Sequence, residues 1–261
     1  MIKTQHAILT CLGAALIAGA IGSSVSAQAA DAQPKPRLYT YEAEWTVPRA
    51  KWAEFEKDDP AEQKVLEKSL ANGTLVGYGT DITILHSEDG STHDNWWSAL
   101  SIAGTLNVLD ALEKAGASGA TSPVSLATKH HDGLYVSEHY HWHAGTWKGA
   151  YTHASLYTVK ADAPDNAVDL LAESVVVPLY EKLLADGTII EYEVDTQAVH
   201  SGDPNLFAVV YITPTAEGID KVNAAVRAAI KAEPLGGQAF GSIVDWTKHR
   251  DYLTRSNVTY K

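Results

Sequence analysis

Residues 66–87 read LEKSLANGTLVGYGTDITILHS, and residues 180–201 read YEKLLADGTIIEYEVDTQAVHS. Aligned without gaps, the two stretches share ten of 22 residues: Glu67/Glu181, Lys68/Lys182, Leu70/Leu184, Ala71/Ala185, Gly73/Gly187, Thr74/Thr188, Tyr78/Tyr192, Asp81/Asp195, His86/His200 and Ser87/Ser201. Ordinary residue usage gives about one such match by chance. A second echo follows, where TKHHDGLYVS at 128–137 and TKHRDYLTRS at 247–256 agree in Thr, Lys, His, Asp, Leu and Ser. The chain is an internal duplication, and the fold of one copy predicts that of the other.

The first copy opens on a strand pattern, Leu38 to Val47, with alternating polarity and aromatic or β-branched residues. Asp59-Pro60-Ala61-Glu62 supplies an N-cap, a proline at the first helical position and an early acid, and Gly73 closes that helix. Strands are expected over 74–86 and 95–102, a helix over 106–114, and a last strand over 134–143. The second copy predicts a strand over 151–159 and a helix over 165–185, broken at Pro178. It continues with strands over 188–200 and 206–212, a helix over 216–231 and a strand over 253–260. The order β-α-β-β-α-β in each copy is the split βαβ, ferredoxin-like unit, with the first repeat spanning 37–143 and the second 144–261.

The front of the chain predicts export. Lys3 precedes an uncharged apolar run, Ala7 to Gly22, and small residues follow that suit cleavage between Ala27 and Ala29. At 16 residues the run is shorter than the ~20 that a spanning helix needs. Residues 1–27 are read as a signal peptide and 28–36, with Pro34 and Pro36, as a flexible tether, giving a periplasmic or secreted protein. The single cysteine, Cys11, lies in the leader, so a mature chain would have neither disulfides nor thiolate chemistry. The net charge of −12 speaks against nucleic acid, and no basic amphipathic segment suggests a membrane surface.

A ferredoxin-like unit leaves one sheet face bare, and two tandem units can cover that face with each other. On this element order and duplication the chain resembles the dimeric α+β-barrel superfamily, as a tandem duplication in one chain. The resemblance implies an α+β fold of two βαββαβ repeats packed sheet to sheet as an intrachain pseudo-dimeric barrel, in a monomer or homodimer. It also implies, for any enzyme activity, cofactor-independent chemistry of the monooxygenase or isomerase kind; the tandem relatives add haem as a variant.

Strand parity assigns candidate site residues. In 74–86 the apolar face carries Tyr78 and His86, and the other face carries Asp81; the second copy sets Tyr192 and His200 against Glu191, Glu193 and Asp195. The more apolar face should meet helices, which sends Asp81 and Asp195 toward the inter-sheet cavity. His86, His200, Asp81 and Asp195 are the catalytic candidates, although duplicated residues serve folding as readily as catalysis. Tyr78, Tyr192, Trp97, His130 and His249 are candidate ligand-binding residues. The last two each stand two residues before an aspartate, at a cavity mouth or in a capped loop.

His139, His141 and His143 alternate in one strand, a spacing that suits Zn, Cu or Fe, with His130, His131 or Glu138 completing a shell. No cofactor is the first expectation and a transition metal or haem the alternative. No P-loop, dinucleotide fingerprint or nucleophile elbow is present. The leading functional expectation is binding, or cofactor-independent transformation, of a small, partly apolar molecule between the sheets. A non-catalytic envelope interaction module and a metal- or haem-binding protein are the alternatives.

Overall fold

A computed structural model describes residues 35–57, 59–86 and 90–261. The expected leader, most of the tether, Ser87 and the turn residues Glu88 and Asp89 lie outside the described residues. In chain order the elements are β1 (Leu38–Thr46), α1 (Trp52–Phe55), α2 (Pro60–Ala71), β2 (Gly77–Thr83), β3 (His93–Ala99), α3 (Ile102–Ala115), β4 (Lys129–Trp142) and β5 (Thr146–Trp147). There follow β6 (Tyr151–Thr158), α4 (Ala167–Leu171), α5 (Val177–Ala185), β7 (Glu191–Gln197), β8 (Leu206–Thr213), α6 (Ala216–Ala232), α7 (Pro234–Ile243) and β9 (Arg250–Tyr260).

Two four-stranded antiparallel sheets form, ordered β2-β3-β1-β4 and β7-β8-β6-β9. Strand β4 then pairs with β7 and β9 pairs with β2, so the eight strands close into one barrel, with β5 as a short addition on β9. The expected packing of the two sheets is thus a continuous hydrogen-bonded ring, which leaves neither sheet an open edge. Each sheet carries its helices outside. Tyr41, Tyr78, Trp97 and Leu134 meet Leu66, Val108 and Leu112 in one core, and Tyr192, Val194, Phe207 and Tyr211 meet Tyr180, Leu184 and Val222 in the other.

The duplicated stretch is a joint between helix and strand. Gly73 and Gly187 sit at φ +77° and +74°, left-handed positions that end α2 and α5 at low steric cost. Beside them Asn72 Oδ1 accepts from the Thr74 amide at 2.9 Å, and Asp186 Oδ1 accepts from the Thr188 amide at the same distance. Leu75 N then donates to Ser69 O and Ile189 N to Leu183 O, which turns each chain into β2 or β7. A second joint also repeats. Ser101 and Thr215 cap α3 and α6 by accepting from the amides of Gly104 and Gly218.

Two expectations are corrected. Strand β4 begins at Lys129, so His130 and Asp132 stand within a strand and not in a capped loop. The break at Pro178 is a π-helical turn, Ala172–Val176, whose i→i−5 bond from Val177 N to Ala172 O keeps the helix continuous up to the proline. In addition, α7 forms in a stretch between 231 and 253 to which the sequence assigned no element.

The closest joint makes the fold testable. A methyl group on Gly218 would lie 1.7 Å from Thr213 Oγ1, which itself donates to Thr188 O at 2.7 Å. Gly218→Ala is expected to lower stability by about 2 kcal/mol or more, read in urea unfolding, because that buried bond must break or the helix must shift. A neutral substitution would contradict the joint.

Candidate functional site

Closure turns strand alternation into an inside and an outside. Facing in are Thr40, Glu42 and Glu44 from β1, Asp81 and Thr83 from β2, Asp94 and Trp96 from β3, and Glu191, Glu193 and Asp195 from β7. The other wall is different in kind: Ala154 and Leu156 of β6 and Leu206, Ala208, Val210 and Ile212 of β8. Between them lies a cavity of about 260 Å³, completed by His131, Tyr135, Tyr252, Thr254 and Lys261.

The seven interior carboxyls are not equivalent. Lys261 Nζ lies 2.5 Å from Glu191 and 3.4 Å from Glu193, with its side chain 1% exposed, and sits over the indoles of Trp96 and Trp142 at 4.7 and 5.4 Å. Burial pushes Glu193 up, but the Lys261 charge together with hydrogen bonds from Glu191, Lys261 and Asp195 outweighs it and holds that carboxyl below its usual range. Burial likewise opposes the Lys261 charge, and the two glutamates more than restore it. At Glu191 burial wins and the carboxyl stays well above its normal value.

Away from Lys261 the acids crowd one another. Asp94 stands directly across the ladder from Glu44 on one side and from Asp81 on the other. Burial, then the charges of Glu44, Asp81 and Glu193, pushes Glu42 up to about 8; it borders the cavity yet is enclosed by the barrel wall. Asp94 is raised by burial and by Asp81, Glu42 and Glu44. Asp195 is raised by burial and Glu193 despite its hydrogen bond from the Ser137 hydroxyl. Burial also raises Asp81, whose Oδ2 accepts from Thr254 Oγ1 at 2.9 Å. The hydroxyls of Ser256 and Thr152 and the Trp96 indole also stand against the Asp81 carboxyl, whereas the buried Thr83 Oγ1 has no hydrogen-bond partner. Glu42 so raised holds its proton near neutrality, and the burial that raises the other three favours their protonated, hydrogen-bond-donating form.

Asp81 and Asp195 therefore reach the cavity as parity required. The other candidates do not. Tyr78, Trp97 and Tyr192 face the helices: Trp97 stacks on Tyr41 at 4.5 Å and donates to Thr105 O at 3.1 Å, while Tyr192 donates to Glu181 at 2.7 Å. His86 and His200 are exposed beyond the ends of β2 and β7, His86 against Trp52, so neither joins an aspartate. His130 stacks on Trp45 at 3.8 Å and lies 2.8 Å from Asp132; its counterpart His249 lies against Trp246 and 3.8 Å from Asp251. Both stand outside the residues lining the cavity.

The alternate histidines of β4 do share the outer face, but each has its own partner. His139 lies 3.4 Å from Asp169, His141 2.9 Å from Glu181, and His143 Nε2 3.0 Å from Leu184 O. They fasten β4 to α4 and α5. No group of three His, Cys, Asp or Glu side chains suited to a metal converges among the described residues. A haem needs an imidazole aimed at its iron and room for two propionates. Among the residues lining the cavity His131 is the one histidine; it is exposed, and the acids around it repel propionates. The donor set fits neither group.

Glu42, Glu44, Asp94 and Lys261 escaped the sequence reading, and Glu191 and Glu193, set on the Asp195 face, were not named among its candidates. The available signal was acid at every second position, Glu42-x-Glu44 and Glu191-x-Glu193-x-Asp195, in strands whose other face is apolar.

The acids predict an alkaline weakness. A carboxyl whose folded value is raised favours folding fully below its unfolded value near 4, and that contribution is lost as pH rises through the folded value. Glu42→Gln is expected to leave stability unchanged near pH 5 and to raise Tm by about 2–6 °C near pH 9. Thermal unfolding across pH checks it; a variant less stable than wild type at the alkaline end would refute it.

No protein-family model matches the chain, and no curated protein matches it in sequence. Solved structures do match. A candidate monooxygenase from Lactobacillus acidophilus NCFM aligns with a TM-score of 0.60 at 9% identity, covering 87% of this chain and 97% of its own. A candidate monooxygenase from Fusobacterium nucleatum subsp. nucleatum gives 0.61 at 8%, covering 87% and 95%. A candidate chlorite dismutase, TA0507, gives 0.50 at 12%, covering 84% and 94%. With its eight-stranded barrel and outer helices, the chain resembles the dimeric α+β-barrel superfamily in fold, with both halves of the barrel in one polypeptide.

Proposed function

We propose that this is an exported protein that binds a small, partly apolar molecule inside the barrel. The observation that carries the reading is the cavity of about 260 Å³ with carboxyls on one wall and aliphatic side chains on the other. Concave, enclosed sites with a few placed polar groups are where small molecules bind. Asp94 and Asp195, whose protonated forms are favoured by burial and neighbouring acids, are the groups best suited to donate to a carbonyl or hydroxyl of the guest, and to act as general acids if the guest is transformed without a cofactor. The signal-like start of the chain supports export, and the net charge of −12 supports a partner other than nucleic acid. No helix among the described residues is long and apolar enough to cross a membrane. The structural neighbours support small-molecule chemistry only at the level of fold.

Native mass spectrometry of protein purified from its own cell envelope tests the reading. Wild type is expected to carry a bound small molecule. Val210→Trp, which puts an indole into the cavity from β8, is expected to fold and to lose it. An empty wild-type protein, or equal retention by the folded variant, would overturn the assignment.

A further inference from the structure

Interior charge says more about the guest than volume does. Two poles can be distinguished. At one, Lys261 supplies an ammonium that Glu191 and Glu193 bind and that Trp96 and Trp142 face. This is the composition of a cation site, two carboxylates with aromatic faces, filled from within the chain. At the other pole Glu42, Glu44, Asp81 and Asp94 meet the phenols Tyr135 and Tyr252, whose own ionisation is suppressed by burial and by Glu42 and Glu44. The same two ingredients are present there, but Lys261 is the one Lys or Arg lining the cavity, and it is spent at the first pole.

A second observation points the same way. Thr83 Oγ1 lines this pole, buried and without a partner. Buried polar atoms normally have partners, so this hydroxyl marks a place where a polar group of a guest fits. The strand order adds the shape of the guest. In an eight-strand ring each strand faces the fourth one along, so β1 and β3 with Glu42, Glu44 and Asp94 look across at β6 and β8 with Ala154, Leu156 and Val210. A bare metal ion would leave that aliphatic wall unused, and no metal-binding group of three side chains occurs among the described residues.

Resting on the small-molecule reading above, we propose that the barrel's ligand is an organic cation: a primary ammonium or amidinium on an apolar body. Its N–H groups would be received by Glu42, Glu44, Asp94 and Thr83 Oγ1, and its body would lie on the β6–β8 wall. Binding then has a signature. The groups facing the cation are Glu42 and Glu44 of β1, Asp81 of β2, Asp94 of β3, His131 and Tyr135 of β4, Glu193 and Asp195 of β7 and Tyr252 of β9. The carboxyls that hold protons must release them to pair with it, so affinity rises with pH from about 6 to 9 and protons appear in solution.

Calorimetry with phenethylammonium, 2-phenylethanol and phenylacetate separates the ideas, since the three share a ring and chain and differ in charge. The cation is expected to bind roughly tenfold or more tightly than the alcohol, and the anion not at all. Glu44→Gln and, separately, Asp94→Asn are expected to weaken the cation alone, each with unfolding monitored to confirm a native barrel. Alcohol binding as tightly as cation, or a preference unmoved by either folded variant, would sink the cation assignment while leaving the small-molecule reading intact. If none of the three binds and the protein from its own envelope carries no ligand, both readings fall.

Discussion

Closure is the constraint on which the rest depends. Once β4 pairs with β7 and β9 with β2, every second residue of eight strands is committed to a shared interior. A single-residue slip in either seam would send a row of acids into a helix-side core. Both seams carry a bulge, between Ser137 and His139 and between Thr80 and Asp81. The first lets Ser137 reach Asp195 inside while His139, His141 and His143 turn outward to α4 and α5.

An interior of this kind works against stability. Aliphatic residues at the same positions would avoid the desolvation that raises Glu42, Asp94, Asp195 and Glu191. Folding is supported instead from outside the ring, where aromatic and aliphatic side chains of each sheet bury against the helices. The walls also make room for their aromatics: Gly79 leaves space for the Trp96 ring and Gly133 for that of Tyr135, where a Cβ would approach within 2.7 and 2.6 Å. Strain held in the interior and relieved by the shell is the pattern expected of a binding site rather than of a core.

Much of this was legible. The duplication and its alternation foretold the barrel and turned Asp81 and Asp195 inward, because period 2 is enforced by the backbone itself. The same parity set Tyr78 on the helix side, and its place among candidate ligand contacts confused repetition with function: Tyr78 and Tyr192 recur because both copies need a ring under their helices. Trp97 and His130 were drawn in by residue type, while Trp96, one position away, is the indole that meets the cavity. Lys261 was out of reach, since it touches Glu191 and Glu193 only through the ring closure of β9. Helix α7 was hidden by its three glycines, Gly236, Gly237 and Gly241, which lower helix propensity without forbidding a packed helix.

The two copies agree at their joints and differ in their interiors, and the register shows how. Equivalent ladder positions set Glu42 against Ala154, Glu44 against Leu156, Asp94 against Ala208, Trp96 against Val210 and Ser98 against Ile212. The exchange runs the other way on β2 and β7, where Gly77 and Gly79 correspond to Glu191 and Glu193. Only at Asp81 and Asp195 do both copies of that strand present the same inward acid. A symmetric barrel would have placed acids around the whole ring or nowhere. Here divergence has sorted them, acids onto β1, β2, β3 and β7 and aliphatics onto β6 and β8, while glycine turns and caps stayed alike. Fusing the two halves in one chain is what permits this sorting, because a barrel built from two identical subunits must repeat every interior side chain across its axis.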